Sequence, residues 1–372
     1  MSLADFWFVV IAFLFVGYFF LEGFDFGVGA LLPVIGRDDV DRRVMINTIG
    51  PVWDANEVWV VVAGAGMFAA FPYWYATLFS GFYLPLLLIL VALIGRGVAF
   101  EYRGKVDSPA WRRRWDAVIV VGSVVPALLW GVAFANIVRG VPINARGDFT
   151  GNLLTLLNPY ALLGGLVTVG LFLTHGALFL ALKTLGPIRD RARAVARGVG
   201  AGAAVVSVAF LVWTEVSYGN GWSTALAVLA AAALLTALVA NARDREMLAF
   251  AGTGAAIALA VTALFVALYP NVLPSTTNPA YTLTVARASS TPYTLKVMTW
   301  VAVIFAPFVL LYEGWSYWVF RKRIGRELIP TAVPHGAGPA PIRPDATSDA
   351  DAGRPGLPAQ PSPPAGPGRT GS

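Results

Sequence analysis

The stretch Trp53-Asp54-Ala-Asn56-Glu57-Val-Trp59 sets two carboxylates and an amide at the head of an apolar run, VVVAGAGMFAAF. A second acidic pair, Glu22 and Asp25, lies in Glu22-Gly-Phe-Asp25-Phe-Gly27-Val-Gly29. Residues three apart share one face of a helix, so each pair would form a single acidic patch. Two more polar sites interrupt apolar sequence: Arg96 to Glu101, and Glu313. An ionised side chain at the centre of a membrane helix costs about 2.5–3.5 kcal/mol on insertion scales, so such groups usually face a bundle interior and mark a pathway or a partner. A carboxyl can also take up and release a proton, which makes these acids the first candidates for chemistry.

The rest of the chain has to hold those acids. Of 372 residues, 57% are hydrophobic and 13% charged, with a mean hydropathy of +0.67. A soluble domain carries about 25% charged residues, so this composition implies an all-α polytopic membrane protein. Nine stretches approach the roughly 20 apolar residues of a membrane helix: 5–32, 46–71, 75–100, 116–138, 159–182, 198–217, 222–240, 247–268 and 293–319. Alternate loops between them carry nineteen Lys and Arg, against three (Arg139, Arg146, Arg287) in the others. The positive-inside rule then puts the N-terminus outside and the C-terminus in the cytoplasm, and nine spans satisfy the alternation. The basic residues are spread over short loops, so the net charge of +6 reports topology rather than nucleic-acid binding. The N-terminus, MSLADFWFVV, shows neither a basic start nor a small-residue cleavage site, so no removed signal peptide is expected.

Within the second span, Pro51 lacks an N–H and frees the carbonyl of Asn47, which predicts a kink there. Asn47 would precede Asp54 by two turns on the same stripe. Gly27 and Gly29 would let a backbone or a cofactor approach closely. Quieter readings stand beside these. Asp54 would be merely interfacial, or paired with Arg37, Arg42 or Arg96, if its span starts only at Pro51. Glu22 and Glu313 lie near helix ends, Glu215 reads as interfacial, and His175 as a hydrogen-bonded structural histidine. With no cysteine there is no disulfide, thiolate site or ordinary iron–sulfur cluster. There is no phosphate-binding loop, Ser-His-Asp set or paired-histidine metal motif. Residues 1–329 therefore read as one membrane domain. Residues 330–372 hold eleven of the 25 prolines and read as a disordered cytoplasmic tail.

Gly23-Phe-Asp25-Phe-Gly27-Val-Gly29, Arg42-Arg43-Val-Met45-Ile-Asn47 and Trp53-Asp54-Ala-Asn56-Glu57-Val-Trp59 resemble subunit II of the cytochrome bd quinol oxidases. So do Phe79-Ser-Gly81-Phe82-Tyr83, Phe100-Glu101-Tyr102-Arg103, Gly140-Val-Pro142, Leu157-Asn158-Pro159 and Met298-Thr-Trp300, in order across residues 1–320. The resemblance implies a nine-helix, non-haem subunit in a bacterial cytoplasmic membrane. Its partner would be a subunit I that carries the haems b and d and the quinol site. The complex would oxidise quinol and reduce dioxygen to water with protons from the cytoplasm. No catalytic residue, cofactor or metal is expected in this chain. Two histidines, five methionines and no cysteine could not supply three haems with ordinary ligands. The resemblance associates Asp54 and Glu101 with a proton route, fits Asp25 to the family's GFD element, and associates Trp59 with an oxygen passage. Glu57 joins the route as a weaker match, because some relatives carry Gln there. A structural quinone or lipid and small single-helix subunits are further candidate partners. A proton-coupled transporter using Asp25, Asp54 and Glu57, and a purely structural scaffold for subunit I, are the competing readings. Truncation after Ile329 is expected to leave assembly and oxidase turnover nearly unchanged, measured as haem content and oxygen consumption of the complex.

Overall fold

Ser2 starts the first helix by a reciprocal cap. Its hydroxyl accepts from the N–H of Asp5, and the Asp5 carboxylate accepts from the N–H of Ser2. The computed structural model describes residues 2–329, and the expected tail at 330–372 lies outside them. Chain order gives α1 (Leu3–Ala30), α2 (Leu32–Ile35), α3 (Asp39–Ile49), α4 (Trp53–Ala70), α5 (Pro72–Gly81), α6 (Tyr83–Tyr102), α7 (Pro109–Arg139) and α8 (Leu153–Leu156). It continues with α9 (Pro159–Lys183), α10 (Pro187–Tyr218), α11 (Gly221–Ala242), α12 (Glu246–Leu268), α13 (Val285–Ala288) and α14 (Pro292–Val319). A short antiparallel hairpin, β1 (Asn271–Leu273) and β2 (Leu283–Thr284), pairs Asn271 with Thr284 and Leu273 with Leu283. Eight helices are long and apolar enough to cross a membrane: α1, α6, α7, α9, α10, α11, α12 and α14. The all-helical membrane architecture therefore stands.

Two of the expected spans are broken. In place of a helix over 46–71, α3 stops at Gly50, and α4 begins at Trp53. Pro51 cannot donate, so the kink becomes a full interruption bridged by Val52 N–H to the Ile49 carbonyl at 2.9 Å. Asn47 and Asp54 thus sit on separate helices, and both are exposed. The 75–100 stretch divides at Phe82 into α5 and α6, with Pro72 opening the first.

The core forms where α1, α7 and α9 cross. A methyl group on Gly27 would stand 1.9 Å from the carbonyl oxygen of Phe172, and one on Gly176 2.6 Å from the Cα of Gly27. The close approach anticipated at Gly27 is therefore to the backbone of α9. At Gly29 it is to Ser123 of α7, whose Oγ lies 2.1 Å from the place a methyl group would occupy. Small residues matter here because lipid tails are as apolar as Leu, so close van der Waals packing must hold the helices together. Phe15, Phe19, Trp130, Phe134 and Phe265 fill the adjoining layer, with Phe134 edge to face on both Phe15 and Phe19 at 4.9 Å.

Ion pairs gather the arginine-rich loops at one end of the bundle. Buried Asp41 of α3 accepts from Arg191 of α10 at 2.7 Å and from Arg326 beyond α14. Asp116 of α7 accepts from Arg42 at 2.9 Å and from Arg103 at 2.5 Å. Glu246 of α12 accepts from Arg189 at 2.5 Å and Arg323 at 2.6 Å. Each acid joins two segments distant in sequence. Asp38 caps α3, and the N–H of Asp41 followed by Arg326 holds its carboxyl below the ordinary value. Its contribution is present above the usual carboxylate pKa and is lost as pH falls through the lowered one. At the opposite end Ser290 N–H donates to Ala70 (2.8 Å), Val141 N–H to Pro274 (3.0 Å), and Tyr269 OH to Asp5 (3.1 Å).

Asp41→Ala removes a buried hub for two arginines and is expected to destabilise the chain by about 1–3 kcal/mol. Asp107→Ala, at an exposed pair with Arg112, should change stability by less than about 1 kcal/mol. Thermal denaturation midpoints of the two variants in detergent check the contrast.

Candidate functional site

Arg96 occupies the middle of the site because the helix that carries it has no other charge within the apolar run YLPLLLILVALIGRGVAF. Its side chain is fully buried. Nη1 donates to Glu22 Oε1 of α1 and lies 3.7 Å from Glu57 Oε1 of α4. The guanidinium also stacks over Phe26 at 4.7 Å and Phe100 at 5.5 Å, an arrangement suited to a planar, weakly hydrated cation. Its Nε and Nη2 have no hydrogen-bond partner among the described residues.

A second strand of contacts reaches the same place from α14. Tyr317 OH donates to Asn56 Oδ1 at 2.6 Å, and Asn56 Nδ2 donates to Asp25 Oδ2 at 2.6 Å. Asn56 and Asp25 are fully buried. One turn along α4, Trp59 Nε1 donates to Glu313 Oε2 of α14 at 3.0 Å. The Trp59 ring lies over Gly17, where a methyl group would meet it at 2.1 Å, and beside Phe13 at 5.6 Å.

The structure therefore brings Asp25, Glu57 and Trp59 into one region and adds Glu22, Arg96, Asn56, Glu313 and Tyr317. Asp54 and Glu101 stand apart from the buried cluster. Both are exposed, with no side-chain hydrogen bond or ion pair to the described residues. Their neighbours Trp53 and Phe100 touch, with ring centroids 5.2 Å apart. None of Arg37, Arg42 and Arg96 pairs with Asp54: Arg42 serves Asp116, and Arg96 serves Glu22 and Glu57. Arg96 is the residue that sequence reasoning undervalued. A lone arginine deep in an apolar helix requires an acid on another helix, and Glu22 and Asp25 were the deepest acids available.

His175 and Glu215 each have structural partners. His175 is buried, with Nδ1 2.7 Å from Thr253 Oγ1 and its ring stacked on Phe250 at 4.5 Å. Glu215 accepts from Ser223 at 2.6 Å and Thr224 at 3.0 Å, tying the end of α10 to the start of α11. Among the described residues no group of three or more His, Asp or Glu side chains is arranged to hold a metal ion.

Comparison with known proteins decides the assignment. The sequence model of the family described as cytochrome bd terminal oxidase subunit II matches residues 3–320. The chain belongs to that family. It is 45% identical over 334 residues to the cytochrome bd ubiquinol oxidase subunit 2 of Bacillus subtilis, covering 88% of this chain and 98% of the relative. It is 38% identical over 362 residues to the cytochrome bd-I ubiquinol oxidase subunit 2 of Escherichia coli K12, covering 86% and 95%. A chain of the solved bd oxidase of Geobacillus thermodenitrificans superposes with a TM-score of 0.69 at 19% identity, over 86% of this chain and 97% of that one, which shows a shared fold. As a subunit II, this chain is a multi-pass membrane component of an oxidoreductase complex.

Removing one partner of a buried ion pair costs about 3–5 kcal/mol. Arg96→Met is therefore expected to reduce sharply the yield of intact chain extracted from membranes. The double variant Arg96→Met with Glu22→Gln should recover part of the loss, because it also removes the stranded charge. Quantitative immunoblotting of detergent extracts checks both.

Proposed function

We propose that this subunit II crosses the membrane nine times, with its arginine-rich end in the cytoplasm and its N-terminus outside. Supporting the ninth crossing, α4 starts beside the arginine-rich end and finishes at Ala70, whose carbonyl accepts from Ser290 at the other end. Its 18 residues span about 27 Å at 1.5 Å each, and Asp54, Asn56 and Glu57 in the first two turns lower its apolarity. The clustering of the basic loops at one end supports the orientation. The setting is a bacterial cytoplasmic membrane, a reading supported by the bacterial origin of the relatives. The working partner is a haem-bearing subunit I that holds haems b and d and oxidises quinol while reducing dioxygen to water. This chain holds no haem. Small single-helix subunits, lipid or a quinone would add to the assembly along the exposed apolar faces of α6 and α14.

Within that complex the chain supplies a proton route from the cytoplasm. Asp54 and Glu101 collect protons at the surface, Glu57 carries them past Arg96, and Asp25 is the buried terminus on α1. The observation that carries this reading is the gradient of burial, from exposed Asp54 and Glu101 through half-buried Glu57 to fully buried Asp25. A scaffold would need only the paired buried groups and would have no use for unpaired acids leading up to them. Trp59, between Glu313 and the exposed apolar face of α4, lines an oxygen passage.

Asp54→Asn preserves shape and hydrogen-bonding capacity but cannot titrate. It is expected to give an assembled complex with normal haem content and oxygen reduction slowed about tenfold, an added barrier of about 1.4 kcal/mol. Asp54→Glu should retain more activity. Oxygen-electrode turnover together with haem spectra reads both, and wild-type turnover in Asp54→Asn would take Asp54 out of the route.

A further inference from the structure

Glu22 and Asp25 differ from every other acid among the described residues. Both are fully buried and three residues apart on one face of α1, so their side chains are neighbours. Two neighbouring carboxylates repel and have no hydrogen to share. Each acid also has one oxygen fixed by a donor: Arg96 holds Glu22 Oε1, and Asn56 holds Asp25 Oδ2. The other two oxygens, Glu22 Oε2 and Asp25 Oδ1, are buried and accept nothing from the described residues. The three fully buried ionisable groups of the cluster are Glu22, Asp25 and Arg96. Two carboxylates and one guanidinium leave a net charge of −1 in a setting where an uncompensated charge is very costly. One proton makes the set neutral.

We propose that Glu22 and Asp25 hold a single proton between Glu22 Oε2 and Asp25 Oδ1, as a carboxyl–carboxylate pair that stores a transferable proton beside Arg96. Transfer within the pair breaks the O–H bond on one acid as it forms on the other, with no other change in bonding. The proton belongs to the pair rather than to either residue. Asn56 and Tyr317 are positioning residues. The amide N–H of Asn56 already occupies Asp25 Oδ2 as an acceptor, which leaves Oδ1 as the oxygen free to exchange. Tyr317 keeps the amide turned that way by donating to its oxygen. The other titratable groups facing the pair are Glu57 of α4, next to Arg96 and itself near Asp54, Tyr18 of α1, and Tyr317 of α14. Glu57 retains 20% of its side-chain exposure, so it exchanges with the outside and can refill the pair. The storage role deepens the proton route proposed above and rests on it only for where the proton goes next.

Infrared difference spectra of the whole detergent-solubilised oxidase test the pair, through the carbonyl stretch of a protonated carboxylic acid that shifts in D2O. The expected result is one such band in the wild type that is lost completely in Glu22→Gln and also in Asp25→Asn, because either change leaves a lone ionised acid. Two separate bands, one lost in each variant, would mean two independently protonated acids and would overturn the proposal. The absence of any band sensitive to either variant would overturn it as well. Should both variants fail to assemble, Tyr317→Phe removes only a hydroxyl and is expected to shift the band by releasing Asn56; an unshifted band would then count against it. The route and the pair fail separately. Normal turnover in Asp54→Asn with the band lost as described removes the route and keeps the pair, and slow turnover with the band behaving otherwise does the reverse.

Discussion

A guanidinium enclosed at membrane depth must be neutralised from within the protein, and Arg96 imposes that requirement on three helices at once. Glu22 comes from α1, Glu57 from α4, and the faces of Phe26 and Phe100 close over the cation. The position of α4 follows from this. Its first turns must reach Arg96, while Asn56 and Trp59 on the same helix engage Asp25, Tyr317 and Glu313. Charge at this site is therefore a packing restraint as well as a chemical resource.

Polar contacts take on this role because of the solvent. In lipid, apolar side chains gain little by leaving the bilayer for each other, so association depends on close backbone contact and on hydrogen bonds. The bundle uses the first means where Gly27 meets Gly176, and the second for α14. That helix is almost wholly exposed along its length and is held by Trp7 to Leu295 and Thr299, by Trp59 to Glu313, and by Tyr317 to Asn56. At the arginine-rich end the buried carboxylates of Asp41, Asp116 and Glu246 do the equivalent work, each bridging two arginines.

Much of this was legible in the residues. Hydropathy located the membrane helices, because a membrane helix is apolar on all sides and needs no periodicity to be noticed. Gly27 and Gly29 signalled close approach, and the grouping of Lys and Arg by loop anticipated which loops share an end. The breaks at Gly50–Val52 and Phe82 were less legible. A proline marks a weakened hydrogen bond but does not say whether the helix bends or stops, and Phe82 carries no local signal. The site was read in part. Asp25, Glu57 and Trp59 lie together, but Arg96 appeared only as the start of a polar stretch and as an alternative partner for Asp54. Its role depends on which helix lies opposite, and a single sequence does not contain that information.

The ion pair between Glu22 and Arg96 joins residues 74 positions apart, and this separation has a meaning in time. A ribosome adding about 5–20 residues per second presents Glu22 and Asp25 to the membrane roughly 4–15 s before Arg96 exists. Throughout that interval α1 must wait with its acids either hydrated in the insertion channel or carrying protons. Lateral release of α1, α4 and α6 into lipid is thus favoured as a group, once the third has been synthesised, over release one at a time. A chain stalled or truncated between residues 57 and 96 would hold three acids with no cation to receive them, which gives quality-control machinery a chemical reason to recognise it as unfinished.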